Sequence, residues 1–146
     1  MARAYDLPMP TDRIEALSRV PMLAGLDRTQ LEELAGTFRE HEFEAGSTVI
    51  REGERGARVV AFFIIVEGRA TVSSGNNELA ELGPGDHFGE IALVRDTPRR
   101  ATVTAATGLR CLTIGSWEFR PFVEAHPEIA WRLLETMAER LGEAPT

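Results

Sequence analysis

The sequence predicts a mainly β domain, a small barrel or roll with helices at both ends, and three features carry that expectation. Short β-favouring runs punctuated by glycine fill the stretch from His41 to Gly115, one amphipathic helical pattern precedes them, and another follows. With 146 residues, 43% of them hydrophobic, the chain is long enough for one compact core and too short for two well-formed ones. The expected organisation is a single domain over 1–146, with N-terminal helices over about 11–38, a roll over about 39–115 and C-terminal helices over about 116–141.

The first helix follows from Asp12 and Glu15 as a capping pair and from Ile14 and Leu17, and the Val20-Pro21 step should end it. Asp27 with Gln30 caps a second helix, whose apolar stripe runs through Leu31, Leu34, Ala35 and Phe38, with Glu32, Glu33 and Arg39 outside. Strands are then expected at Glu40–Glu44, Thr48–Arg51, Val60–Val66, Ala70–Val72, Leu79–Leu82, Ala101–Ala105 and Arg110–Ile114, joined by tight turns. Ser116 reads as the N-cap of a helix carrying Phe119, Phe122 and Val123, with Pro121 distorting its start. Pro127 opens the last helix, whose apolar face is Ile129, Ala130, Leu133, Leu134, Met137 and Leu141. His87 is read as a turn residue, His126 as a helix-start residue and Phe88 as a core anchor.

Composition narrows the function classes. A net charge of -7 repels polyanions, so neither nucleic acid nor an anionic membrane is an expected partner, and a bound anion has to be captured locally. The apolar run Val59–Val66 is strand-sized rather than membrane-spanning, and Met1–Pro10 lacks the apolar centre of a signal peptide. Cys111 is the sole cysteine, which excludes a disulfide framework and fits a cytoplasmic location. His41, His87 and His126 are isolated from one another, so no metal cluster and no cofactor is expected.

One segment breaks the strand rhythm. Leu82-Gly83-Pro84-Gly85-Asp86 turns the chain into a short helical fragment at about 89–94, and the pair Arg99-Arg100 stands at the mouth of the next strand. A helix start presents backbone N–H groups that have no partner within the helix, which suits phosphate. Gly89 lets a ligand approach the backbone, Ile91 and Ala92 offer amides, and Arg99 supplies a charge-assisted pair of about 1.5–3 kcal/mol. A carboxylate beside phosphate is repelled by it, so Glu90 is read as the acceptor for a ribose 2′-hydroxyl, which makes the ligand a nucleotide.

Phe88-Gly89-Glu90-Ile91-Ala92-Leu93 followed by Pro98-Arg99-Arg100-Ala101-Thr102-Val103 resembles the phosphate-binding cassette of the cyclic-nucleotide-binding domain family. That family includes the bacterial catabolite activator, regulatory subunits of cAMP-dependent kinase and nucleotide-gated channels. The resemblance runs from about Val20 to Leu141, with further matches at Glu44-Ala45-Gly46, Gly53-Glu54 and Ile65-Val66-Glu67-Gly68. It implies an eight-stranded β-roll with a C-terminal helical lid, and a cAMP receptor, cGMP being the alternative ligand. It assigns the ribose to Glu90, the cyclic phosphate to Arg99, assisting amides to Gly89, Ile91 and Ala92, and places Arg100 and Ala101 beside them.

The sequence departs from the family at Arg100, where Ala, Ser or Thr is common and Thr is associated with cGMP; Arg100 adds a second cation, crowds the pocket or turns out to water. It departs again at Arg58–Phe63, read as an altered turn or an exposed sticky edge. Trp131 lies off the Ile129-Leu133-Met137 line and either stacks on the base or packs on the roll or a second subunit. The expected output is regulatory rather than catalytic, directed at an unidentified protein effector, with homodimerisation left open. The alternatives are a degenerate roll acting by ligand-independent protein contacts, a small cupin-like metal enzyme, and a transcription factor, for which no recognition helix follows Leu141.

Overall fold

The computed structural model describes residues 10–54, 62–93, 95 and 97–143, apart from the side chains of residues 10–12, 90, 91, 140 and 143. The chain forms two compact units, a helical one from residues 1–37 and 122–146 and a β-rich one from residues 38–121.

In the helical unit, α1 spans Pro10–Ser18, a 3-10 turn covers Pro21–Leu23 and α2 spans Arg28–Ala35. Helix α1 starts two residues before the expected cap at Asp12, with proline in the first turn where its missing N–H does no harm. The capping box of α2 is present in both directions: the Gln30 amide donates to Asp27 Oδ1 at 2.9 Å and the Asp27 amide donates to Gln30 Oε1 at 3.0 Å. The helix stops at Ala35, so Phe38 does not extend its stripe as the spacing suggested. Phe38 belongs to the β-rich unit, where its ring meets Phe62 edge-on at 6.2 Å.

Helix α3 spans Ser116–Ala125 and α4 spans Pro127–Glu143, with α3 crossing the boundary between the units. The cap of α3 lies one residue earlier than Ser116: the Gly115 amide donates to Glu118 Oε1 at 3.2 Å, and the Gly115 carbonyl accepts from Phe119 at 2.9 Å. The helix continues through Pro121. His126 sits between α3 and α4, its carbonyl accepting from Ile129 at 3.0 Å and its Nε2 2.9 Å from Glu33 of α2. The buried face of α4 is Ile129, Leu133 and Thr136, whereas Leu134 is 59% exposed and Leu141 74%. The six-residue apolar face expected for α4 is therefore wider than the face it buries.

Among the described residues, eight antiparallel strands build the β-rich unit: β1 Arg39–Phe43, β2 Thr48–Ile50, β3 Phe62–Glu67, β4 Ala70–Ser74, β5 Asn77–Leu82, β6 His87–Phe88, β7 Thr102–Ala105 and β8 Leu109–Ile114. They form two four-stranded sheets in the orders β1-β8-β3-β6 and β2-β7-β4-β5. The eight-stranded β-roll with flanking helices is thus present. Phe63, Ile65, Leu109 and Cys111 of the first sheet and Ile50, Ala70, Val103 and Ala105 of the second share one buried core. Strand β3 pairs with β8 on one side and β6 on the other, and Phe62 and Ile64 are as buried as Phe63 and Ile65. This central position, buried on both faces, accounts for the continuous apolar run, and β6 covers the far side of β3 at Phe63 and Ile64. Residues 58–61, the rest of that expectation, lie outside the described residues.

Candidate functional site

A cavity of about 370 Å³ opens within the β-rich unit, inside the usual range for small-molecule sites. Strand β6 sets one wall. The turn Gly83–Asp86 is closed by the Gly83 amide on Asp86 Oδ2 at 2.8 Å, and the Ile65 amide donates to the Asp86 carbonyl at 2.8 Å, which brings His87 and Phe88 alongside β3. The Phe88 ring stacks on Phe63 at 4.7 Å with an interplanar angle of 11°, as befits a core anchor. His87 proves to be a strand residue rather than a turn residue, paired with Ile64.

Gly89 follows with φ +89°, a left-handed conformation that side chains disfavour, and turns the chain into a 3-10 helix over Glu90–Leu93. Leu93 is buried beneath it. The Ala92 amide donates to the Gly89 carbonyl at 3.1 Å and closes the turn. Ala92 therefore lines the cavity with its amide already engaged, and at a helix start it is the first amides, here those of Glu90 and Ile91, that the helix itself leaves without an acceptor. The side chains of Glu90 and Ile91 lie outside the described residues.

The opposite wall is the segment Thr97–Ala101 that enters β7. Its position is set by the turn after β2: the Arg99 amide donates to the Glu54 carbonyl at 2.8 Å and the Gly53 amide donates to the Arg99 carbonyl at 2.9 Å. Glu54 also accepts the Arg51 amide at 2.8 Å. The Arg99 side chain is half-buried, and loss of hydration there holds its guanidinium below the ordinary pKa, with the Glu54 carboxylate opposing the shift. Arg100 lines the same cavity but is exposed. Ile50, Val103, Val72 and Leu82 supply an apolar floor, one residue from each strand of the second sheet.

Gly89, Ala92, Arg99, Arg100 and Ala101 are thus brought to one cavity. Trp131 belongs to the helical unit, where it is 64% exposed on α4. His87 and the four floor residues carry no local sequence signal that assigns them to the site, and the part that the Gly53-Glu54 turn plays in holding Arg99 is visible only in the folded chain. The floor was in principle detectable as the apolar positions nearest the cassette, but which of them face inward depends on strand register. Among the described residues no three His, Cys, Asp or Glu side chains form a metal-binding group, and no helix is long and apolar enough to cross a membrane.

The model of the cyclic nucleotide-binding domain family matches residues 40–126, more than half of the chain. A cyclic nucleotide-gated potassium channel of Rhizobium etli is 37% identical over 131 residues, covering 90% of this chain and 36% of the channel. A cAMP-dependent protein kinase regulatory subunit of Dictyostelium discoideum is 32% identical over 140 residues, covering 90% of this chain and 42% of the subunit. The chain spans less than half the length of these curated relatives. Among solved structures, the N-terminal domain of a transcriptional regulator from Streptomyces coelicolor A3(2) aligns with a TM-score of 0.79 at 33% identity, covering 88% of this chain and 91% of that domain.

Proposed function

The chain belongs to the cyclic nucleotide-binding domain family, and we propose that it is a receptor for a cyclic nucleotide, cAMP before cGMP, that regulates a protein effector. The observation that carries this reading is the placement of half-buried Arg99 across one apolar-floored cavity from the turn after Gly89. A guanidinium with fewer waters around it gains more from an anion than an exposed one does, because competing solvent is already reduced. The cyclic phosphate pairs with Arg99 and with the turn amides of Glu90 and Ile91, while the Glu90 carboxylate accepts the ribose hydroxyl. The base takes the apolar remainder of the cavity. The kinase regulatory subunit among the relatives favours cAMP as the first ligand to test.

No bond is made or broken in this function. Binding is read out by a change in the disposition of α3 and α4, which requires that the two dispositions bind ligand with different affinity. The exposed Trp131, Leu134 and Leu141 on α4 are the apolar surface such a change would offer or withdraw.

Calorimetric titration with cAMP, cGMP and 5′-AMP in parallel tests the ligand, and amide exchange over α3 and α4 with and without ligand tests the readout. Saturable binding of cAMP with altered exchange in both helices is the expected result. Absence of binding by either cyclic nucleotide overturns the receptor reading and leaves the ligand-independent interaction module in its place.

A further inference from the structure

Arg100 is the feature of the cavity that a cyclic phosphate does not use up. A cyclic phosphodiester carries one negative charge and two exocyclic oxygens, and a single guanidinium fork can engage both oxygens. Arg99 already occupies that role from its half-buried position. Arg100 nevertheless lines the same cavity, and among the described residues no hydrogen bond or ion pair engages it. Arg19 pairs with Glu15 at 2.8 Å, Arg28 with Glu32 at 3.2 Å and Arg69 with Glu81 at 3.3 Å, whereas among the described residues Arg100 shares its lack of an ion pair with the exposed Arg95 and Arg132 and differs from those two in lining the cavity. Among the described lining residues, Arg99 and Arg100 are the only side chains with a permanent charge.

We propose that Arg100 is a specificity-determining residue that fits the cavity to a doubly charged terminal phosphate, so that open nucleoside 5′-monophosphates compete with the cyclic nucleotide. The inference rests on the receptor reading given above. Opening the ring of a cyclic nucleotide by water adds one ionisable oxygen, and the second phosphate ionisation, near pH 6, makes the product largely a dianion at about pH 7.5. That product retains the base and ribose that the rest of the cavity accepts. A receptor of this kind responds to the balance between a cyclic nucleotide and the product of the phosphodiester-hydrolysing reaction that consumes it.

Coulomb energy scales with the product of the charges, so the factor by which Arg100 tightens a monoanion is squared for a dianion at the same place. The test compares wild-type, Arg100→Ala and Arg100→Lys proteins in titrations with cAMP and 5′-AMP. For an exposed cation, Arg100→Ala is expected to weaken cAMP about threefold and 5′-AMP about tenfold at about pH 7.5. Arg100→Lys, which keeps the charge and loses the fork, is expected to restore the 5′-AMP to cAMP affinity ratio to that of wild type. At about pH 5, where 5′-AMP is mainly a monoanion, the two factors should converge.

Equal losses for both ligands at the higher pH overturn the inference, as does a wild-type protein that binds cAMP but ignores 5′-AMP at millimolar concentration. Both of those outcomes leave the receptor reading standing. A wild-type protein that binds neither nucleotide overturns the reading itself.

Discussion

Replacing Arg99 with alanine separates binding from folding in this protein. The backbone of Arg99 is held by two hydrogen bonds to Gly53 and Glu54, and neither uses its side chain, so alanine can keep both. The guanidinium itself sits where burial lowers its pKa and the carboxylate of Glu54 works against that shift. A cation whose pKa is lower in the folded than in the unfolded chain is less favourable in the fold, so its electrostatic contribution to stability is negative. Arginine stays protonated throughout the range in which the protein is handled, so no pH window relieves this. Arg99→Ala is therefore expected to melt within about 3 °C of the wild type, or above it.

Ligand affinity behaves in the opposite way. A charge-assisted contact between guanidinium and phosphate contributes about 1.5–3 kcal/mol, which corresponds to a Kd about 10- to 150-fold weaker in the variant. Calorimetric titration with cAMP measures that factor, and thermal melts of the ligand-free proteins measure the other. Saturating ligand at about 100 times Kd should stabilise the wild type by about 2.7 kcal/mol, and the same concentration should stabilise the variant far less. An unchanged Kd would refute the role of Arg99. A weakened Kd with a melting temperature lowered by about 10 °C would show instead that the side chain holds the cavity together.

Further outcomes are expected at three positions. Glu90→Ala should shrink the preference for cAMP over its 2′-deoxy analogue from at least tenfold to less than about threefold, since one charge-assisted hydrogen bond is lost; an undiminished preference places the ribose elsewhere. Gly68→Ala should destabilise the fold by about 3 kcal/mol in urea unfolding, because φ is +93° there and a Cβ would run into the Gly108 carbonyl. A cost below about 1 kcal/mol would mean that the turn relaxes freely. Burial pushes the Cys111 thiol from an ordinary value of 9.0 up to about 12. The unfolded chain then releases the thiol proton before the folded one, so wild type should lose stability relative to Cys111→Ala as pH rises from about 9 to about 12. At lower pH the native thiol should react with a disulfide reagent no faster than the protein opens, and rapid native reaction would contradict its burial.

The parts of the fold legible in the sequence are those set by neighbours a few residues away. The Asp27-Gln30 box is a contact between positions three apart, and it stands as expected. The glycine-bounded strands and the proline-led start of α4 are of the same kind. Phe38 shows where such signals overreach: its spacing continues the stripe of α2, yet its ring is buried against Phe62, and the helix ends at Ala35. Strand β6, of two residues, is too short for any periodicity to register, and only its pairing with β3 makes it a strand. The stripe on α4 looked uniform because sequence spacing carries no record of which side a neighbour occupies; Ile129 and Leu133 are covered and Leu134 is not.

For the candidate site the division has the same origin. Sequence alone determined the glycine that reverses the chain, the turn that follows it and the arginine pair, because a backbone reversal and a charged side chain are properties of the residues themselves. Only the tertiary structure decided that Arg99 is half-buried, that the turn at Gly53-Glu54 holds it, that Ala92 spends its amide within its own turn, and that Ile50, Val72, Leu82 and Val103 form the floor. Burial, register and the partners of backbone groups belong to pairs of segments distant along the chain, and no local pattern encodes which pairs will meet.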